Sequence, residues 1–356
     1  RLEDIDDLQE PAFANRGMIY WVGSYPWVFK NRGIGKPASK TSGSLAAGHN
    51  FYHLLPPKDV KKGGKVVHEG LFKEHPEFYP MNRAGERKPT WSMGLCGTAE
   101  DLPQYLAKAI ARKVEESKKR GRYDPNFPIA AAQGDGFTGC QDTDCRKLVH
   151  QQQSEAAPLI LLLNRTLEIL KEDYPDLELI TFAYFETLDA PKTLKPHENL
   201  WINVVSSARS QNMAGDQMGP IQNNPANRDY ARAIRQWPKI APNRVTVWHW
   251  DTYRAEWPSM FYVAENVRYM RDCGIYGVNP QFTGGPWNDL LAWLYLKLAW
   301  NPDADADALI HQYLNDNYGE AAGAHVWNYL KLAQQAYEDA LHVPSAVRWS
   351  GWTTMT

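Results

Sequence analysis

The chain has 356 residues, of which 22% are charged and 43% hydrophobic, an ordinary globular mix. Its 39 Lys+Arg against 41 Asp+Glu leave a net charge of −2, so nothing electrostatic points to a nucleic-acid or anionic-membrane partner. Mean hydropathy is −0.54, and no run approaches the ~18 consecutive apolar residues that a membrane-spanning helix needs.

The chain opens Arg1-Leu2-Glu3-Asp4 without a Met or an apolar signal core, and reads as a processed part of a longer protein. Its first predicted strand is Met18–Val22, and a second follows at Asn50–Leu55. Lys58–Pro89 is long, polar and rich in Gly, Pro and His, and is expected as an elaborate loop after the second strand. Ser92–Cys96 is the third predicted strand. A helix over Ala99–Lys119 follows Thr98, with Asp101 in its first turn. Ile129–Gln133 is the fourth strand. Ser154–Lys171 carries Leu159, Leu162, Leu163, Leu167 and Leu170 at helical spacing. Strands then fall at Leu179–Phe185 and Leu200–Val205, and a Gly/Asn/Gln-rich loop at Ser206–Asn227. A helix over Asn227–Trp237, a strand at Val245–Trp250, a helix over Pro258–Asp272 and a strand at Tyr276–Pro280 complete the alternation.

The strands are continuous apolar runs, as strands buried on both faces should be. Eight of them, most followed by a helix, predict an α/β protein of the (β/α)8 barrel type spanning residues 1–285. Helices over Trp287–Trp300, Ala306–Asn317 and Ala321–Leu341 form a helical cap within residues 286–356.

In such a barrel the residues at strand C-termini face the active site. That rule gathers His49 and Tyr52 from strand two, and Gln133 and Asp135 from strand four. It adds Tyr184 and Glu186 from strand five, and Arg209 after strand six. Trp248, His249, Trp250 and Asp251 follow from strand seven, and Gln281 and Trp287 from the eighth. Carboxylates supply acid, base or nucleophile, and indoles supply platforms for the C–H faces of sugars, which is the inventory of glycosidic-bond hydrolysis. Asp135, Glu186 and Asp251 are the candidate catalytic acids. His49, Tyr52, Gln133, Tyr184, Arg209, Trp248, His249, Trp250, Gln281 and Trp287 are the candidate substrate-binding residues. Each also has a plainer role: Asp135 as a turn former between two glycines, Asp251 as a cap, His249 as a hydrogen-bonded core histidine, Arg209 as a salt-bridge partner. The 14 Trp and 18 Tyr serve a core as readily as a sugar cleft. Trp248 and Trp250 share one side of their strand by period two.

No cofactor is expected, since the chain has no phosphate-binding Gly-rich loop, His-x-x-x-His pair or Gly-x-Ser-x-Gly elbow. Cys140 and Cys145 are read as a local disulfide or as two free thiols, because two thiols alone make no tetrahedral zinc site. Asp303, Asp305 and Asp307 are read as helix-start acids rather than a calcium loop. The sequon at Asn164 falls inside a predicted helix.

Several segments in order carry a family likeness: Gly48-His49-Asn50-Phe51-Tyr52-His53-Leu54-Leu55-Pro56-Pro57, then Phe72-Lys73-Glu74-His75-Pro76-Glu77, Leu95-Cys96, and Gln133-Gly134-Asp135-Gly136 through Cys140 and Cys145. Ala183-Tyr184, Trp237-Pro238, Trp248-His249-Trp250, Ala264-Glu265-Asn266, Trp300-Asn301-Pro302-Asp303 and Asn317-Tyr318-Gly319 follow. The set resembles the bacterial glycoside-hydrolase-like family known as domain of unknown function 4838, from about Arg16 to about Leu341. The resemblance implies a barrel enzyme of secreted polysaccharide or glycan breakdown, extracellular or periplasmic, with Asp135 its best-supported carboxylate. Three departures stand out. Asp142 replaces a third cysteine common in the family, Pro280 stands where an acid often precedes Gln281, and the Glu186 position is commonly not acidic. The expectation is therefore a glycosidase acting on a carbohydrate substrate. A non-catalytic carbohydrate-binding barrel and a lyase for acidic polysaccharides are the alternatives.

Overall fold

The computed structural model describes residues 10–17, 48–89, 94–205, 219–250, 259–281 and 287–341. Its centre is a curled, six-stranded, all-parallel sheet. The strands are β1 (Asn15–Arg16), β4 (Ile129–Ala130), β5 (Leu179–Ala183), β6 (Leu200–Val205), β7 (Val245–Trp250) and β8 (Gly277–Gln281). They lie in the order β1-β8-β7-β6-β5-β4. Beyond β4 an isolated parallel bridge joins His49 to Ala132. A small antiparallel hairpin, β2 (Val60–Lys62) and β3 (Lys65–His68), stands apart from this sheet within the loop over residues 58–89.

Helices cover one face of the sheet: α1 (Phe51–Leu54), α2 (Leu102–Lys119), α3 (Thr143–Gln152), α4 (Ala157–Leu170), α5 (Arg228–Ile240), α6 (Val263–Asp272), α7 (Asn288–Trp300), α8 (Ala306–Tyr318) and α9 (Glu320–Leu341). Their buried stripes explain why they form. In α2, Leu102, Leu106, Ile110 and Val114 recur every fourth residue and are buried. Pro103 lies in its first turn, where no intrahelical N–H is lost. Helix α7 is buried on nearly every side, from Leu290 through Ala299. The carbonyls of Ala299 and Trp300 at its end accept from Phe13 and Ala12, so orphan acceptors tie down the N-terminal segment. Asp305 caps α8 by accepting from the Ala308 amide, and Asp303 pairs with Arg271, in keeping with helix-start acids.

The sheet separates two apolar layers, because strand residues alternate between its faces. Leu179, Ala183, Leu200, Ile202, Val204, Val245, Val247 and Val278 pack with the helices in the main core. Their neighbours Ile180, Phe182, Trp201, Val205 and Trp248 form a second cluster on the opposite, inner face, together with Ala132 and Tyr184. Register keeps this layer aligned: Ile180 lies beside Trp201, Val205 beside Trp248, and Trp248 beside Asn279. Asn203 donates to Thr246 Oγ1 at 3.0 Å, so buried polar groups on this face are partnered.

A complete eight-stranded barrel does not emerge among the described residues. Met18–Val22 lies outside them, and β1 instead occupies Asn15–Arg16. The predicted strand Asn50–Leu55 is α1, because only His49 reaches the sheet before the backbone turns helical. The Asn50 side chain adds to the backbone bonds that Asn50 and Phe51 give to Ala132 O, contacting Ala130 O and accepting from Ala132 N at 3.0 Å. Residues 94–96 of the predicted third strand adopt no regular structure, and His49 bridges Ala132 directly with no strand between. Gly97 explains the close packing there: a Cβ on it would stand 2.0 Å from Pro158 O in α4. Both α3 and the β2–β3 hairpin fall in stretches read as loops.

Candidate functional site

Asp135 stands at the open end of the inner layer, in the turn after the β4 segment, with 65% of its side chain exposed. Two groups converge on its Oδ1. Tyr184 OH donates to it at 3.2 Å from the end of β5, and His49 Nε2 lies 3.2 Å away. The other imidazole nitrogen, Nδ1, is 2.6 Å from the carbonyl of Gln133. A carbonyl oxygen only accepts, so Nδ1 carries a proton. That bond orients the ring so that Nε2 faces the Asp135 carboxyl. His49 also packs on Phe182, ring centroids 4.9 Å apart, and Phe182 packs on Trp248 at 5.7 Å. One carboxylate, one imidazole and one phenol thus meet over an aromatic floor.

The turn after β5 is tightly made. The backbone passes through the left-handed region at Phe185, φ 48°, which is unusual for a bulky residue. A single 3-10 turn, Phe185–Thr187, follows and carries Glu186 half-buried, two residues beyond Tyr184. Thr187 pins this turn. Its fully buried hydroxyl oxygen accepts from Gln133 Nε2 at 2.7 Å and from the Tyr184 amide at 3.2 Å, and lies 3.0 Å from Tyr184 O as its donor. Gln133 Oε1 is buried and finds no partner among the described residues. Thr187→Val is therefore expected to strip the Gln133 amide of its acceptor and cost about 1–3 kcal/mol. Urea denaturation measures this, and an unchanged midpoint would show that Thr187 does not hold the turn.

The remaining expected residues divide by face. Trp248 belongs to the inner layer, where its indole N–H donates to Gln281 Oε1 at 2.7 Å. At 8% exposure it is floor rather than an open stacking wall. His249 leaves the substrate-binding set: it is buried on the helix side, with Nε2 bonded to Tyr295 OH of α7. It is the core histidine that strand alternation predicts once Trp248 faces inward. Gln133 also acts otherwise than expected, holding His49 through its carbonyl and Thr187 through its amide. Tyr52 sits in α1 against the main core, near enough to Tyr79 to add to the burial that raises the Tyr79 hydroxyl's pKa. Trp287 packs against the main core and lies 6.2 Å from the Tyr329 ring of α9, away from the Phe182–Trp248 layer. Arg209 and Asp251 lie outside the described residues, as does the side chain of Trp250, whose backbone pairs with Gln281 in β7–β8 register. Asn164 lies in α4 with its amide donating to Lys195 O at 2.8 Å. Sequence reasoning missed Phe182 and Thr187; they are signalled by the parity of β5 and by a hydroxyl placed four residues after the strand end.

A second cluster lies behind the Asp135 turn. Cys96, Cys140 and Cys145 are buried free thiols whose Sγ atoms all lie within 4.8 Å of one another. The expected choice between disulfide and free thiols for Cys140 and Cys145 thus resolves to free thiols, joined by a third. Hydrogen bonds from the Cys140 and Cys145 thiols, and then the Arg87 guanidinium, favour the Cys96 thiolate and lower its pKa. Cys145 is pushed up, chiefly by the bonds it gives to the other two.

The family model for a domain of unknown function, DUF4838, matches residues 2–331. The chain belongs to this family. Against curated proteins the chain has no match. In this DUF4838 protein the matched span includes both the Asp135 cluster and the three thiols.

Proposed function

We propose that this DUF4838 protein is a glycoside hydrolase whose acid/base group is Asp135. The observation that carries the proposal is the convergence of His49 Nε2 and Tyr184 OH, each 3.2 Å away, on one oxygen of the exposed Asp135 carboxyl. An exposed carboxyl held by neighbouring polar groups is what protonation of a glycosidic oxygen requires. Glu186, on the neighbouring turn, and Asp251 are the candidates for the second carboxylate. The gap between the two carboxyls then sets the outcome, about 5–5.5 Å for retention and 6.5–9.5 Å for inversion. Phe182 and Trp248 back the cluster with buried aromatic rings that fix the position of His49. The sheet is proposed to close into a barrel of the (β/α)8 type, its edges at β1 and at the His49 bridge. An extracellular or periplasmic setting follows from the polysaccharide-degrading role. No helix among the described residues is long and apolar enough to cross a membrane.

The lyase alternative draws support from the same cluster, because a Tyr and a His are both placed to act as a base. The experiment that decides is a screen of aryl-glycosides and polysaccharides, with products followed by NMR. Saturated reducing-end products support hydrolysis. Unsaturated uronate products would replace it with elimination. Tight binding of oligosaccharides without any product would overturn both.

A further inference from the structure

We propose that Cys96, Cys140 and Cys145, brought together from two distant segments behind the Asp135 turn, form a structural zinc site. The spacing of the sulfurs is the main argument. Cys96 Sγ and Cys145 Sγ lie 3.7 Å apart. A disulfide requires about 2.05 Å. Two thiolates on one tetrahedral zinc, each at about 2.3 Å, stand about 3.8 Å apart. The observed separation therefore fits a shared metal and not a bond.

Thr98 Oγ1 is a hydrogen-bonding neighbour of the cluster, 3.1 Å from Cys145 Sγ and 3.9 Å from Cys96 Sγ. Around the sulfurs the structure supplies supporting groups of the kind that tune metal–thiolate sites. The Met81 amide donates to Cys140 Sγ at 3.3 Å. Arg87 lies beside Cys96 and pairs with Asp142, the residue that caps α3. Loading is balanced by proton release: three thiols lose three protons, and zinc with three thiolates carries one net negative charge, which Arg87 faces. Soft thiolates and a dry pocket favour zinc over calcium or magnesium. All three sulfur ligands are buried, which suits a structural site rather than one open to substrate.

The ion would clamp the coil at residues 94–98, the loop that runs from Asp135 to Cys140, and the first turn of α3. The inference does not depend on the hydrolase proposal. Its test is made on the full chain, expressed without a polyhistidine tag and purified without chelator. Elemental analysis should find about one zinc per chain, and cobalt(II) added to chelator-stripped protein should give intense sulfur-to-metal charge-transfer bands in the near ultraviolet. Cys140→Ser and Cys145→Ser should each lose about tenfold or more of the bound zinc. Cys273→Ser, distant from the cluster, should keep it. If the serine variants do not fold, the cobalt spectrum of the wild-type chain decides. Metal-free wild-type protein lacking cobalt charge-transfer bands would overturn the site, and so would a Cys96–Cys145 disulfide recovered by peptide mapping.

Discussion

Asp135→Asn is expected to lower turnover by about 100-fold to 10,000-fold, the usual worth of a positioned acid or base. The measurement is kcat and KM on the aryl-glycoside that the wild-type chain hydrolyses fastest. The amide has the shape of the carboxyl and keeps an oxygen to accept from Tyr184, but it cannot give or take a proton. The loss should fall on kcat, with KM little changed, because the proton moves in the transition state and not on binding. Stability should hold, since the Asp135 side chain is 65% exposed. Its ion pair with His49 lies in a solvent-open setting, where such pairs contribute little. Glu186→Gln should act in the same direction if Glu186 is the second carboxylate. Wild-type rates in both variants would remove the carboxylate assignment altogether.

Trp237→Ala should be the costliest single change to the fold, at about 3–5 kcal/mol. Trp237 in α5 is 1% exposed, and its Nε1–H donates to Leu188 O at 2.8 Å, just past the turn that carries Glu186. Removing the indole empties a large packed volume and leaves the Leu188 carbonyl without its donor. Trp237→Phe should cost less, since it keeps a six-membered ring and loses the hydrogen bond, worth about 1 kcal/mol, together with a smaller part of the packed volume. Equilibrium urea unfolding of both variants reads the difference. A Trp237→Ala loss below about 1 kcal/mol would mean that the site collapses around the missing ring, contrary to its close-packed surroundings.

The strands buried on both faces were the most legible part of the sequence. Leu200–Val205 and Val245–Trp250 coincide with β6 and β7 because an uninterrupted apolar run is what a covered parallel strand needs. Asn50–Leu55 became a helix over Phe51–Leu54, since a short run with Phe51, Tyr52, Leu54 and Leu55 fits either periodicity. Asp135 was legible as a strand-end acid, and Tyr184 and His49 as its company. His249 takes the core role offered beside its binding role, because a strand that turns Trp248 inward presents its neighbour to the helices. Cys96 could not be joined to Cys145 from sequence, because 49 residues separate them and the run around Cys96 resembled a strand. Its role depends on a close approach that Gly97 permits against α4.

The two layers of side chains split by the sheet imply a division of labour. Leu179, Ile202 and Val247 anchor the helices, while their immediate neighbours Ile180, Asn203 and Trp248 face the opposite way. Each strand is thus a zip-like alternation of residues packed against the helices and residues packed across the inner layer. A substitution at one position therefore loads one layer and leaves the anchorage of the other untouched.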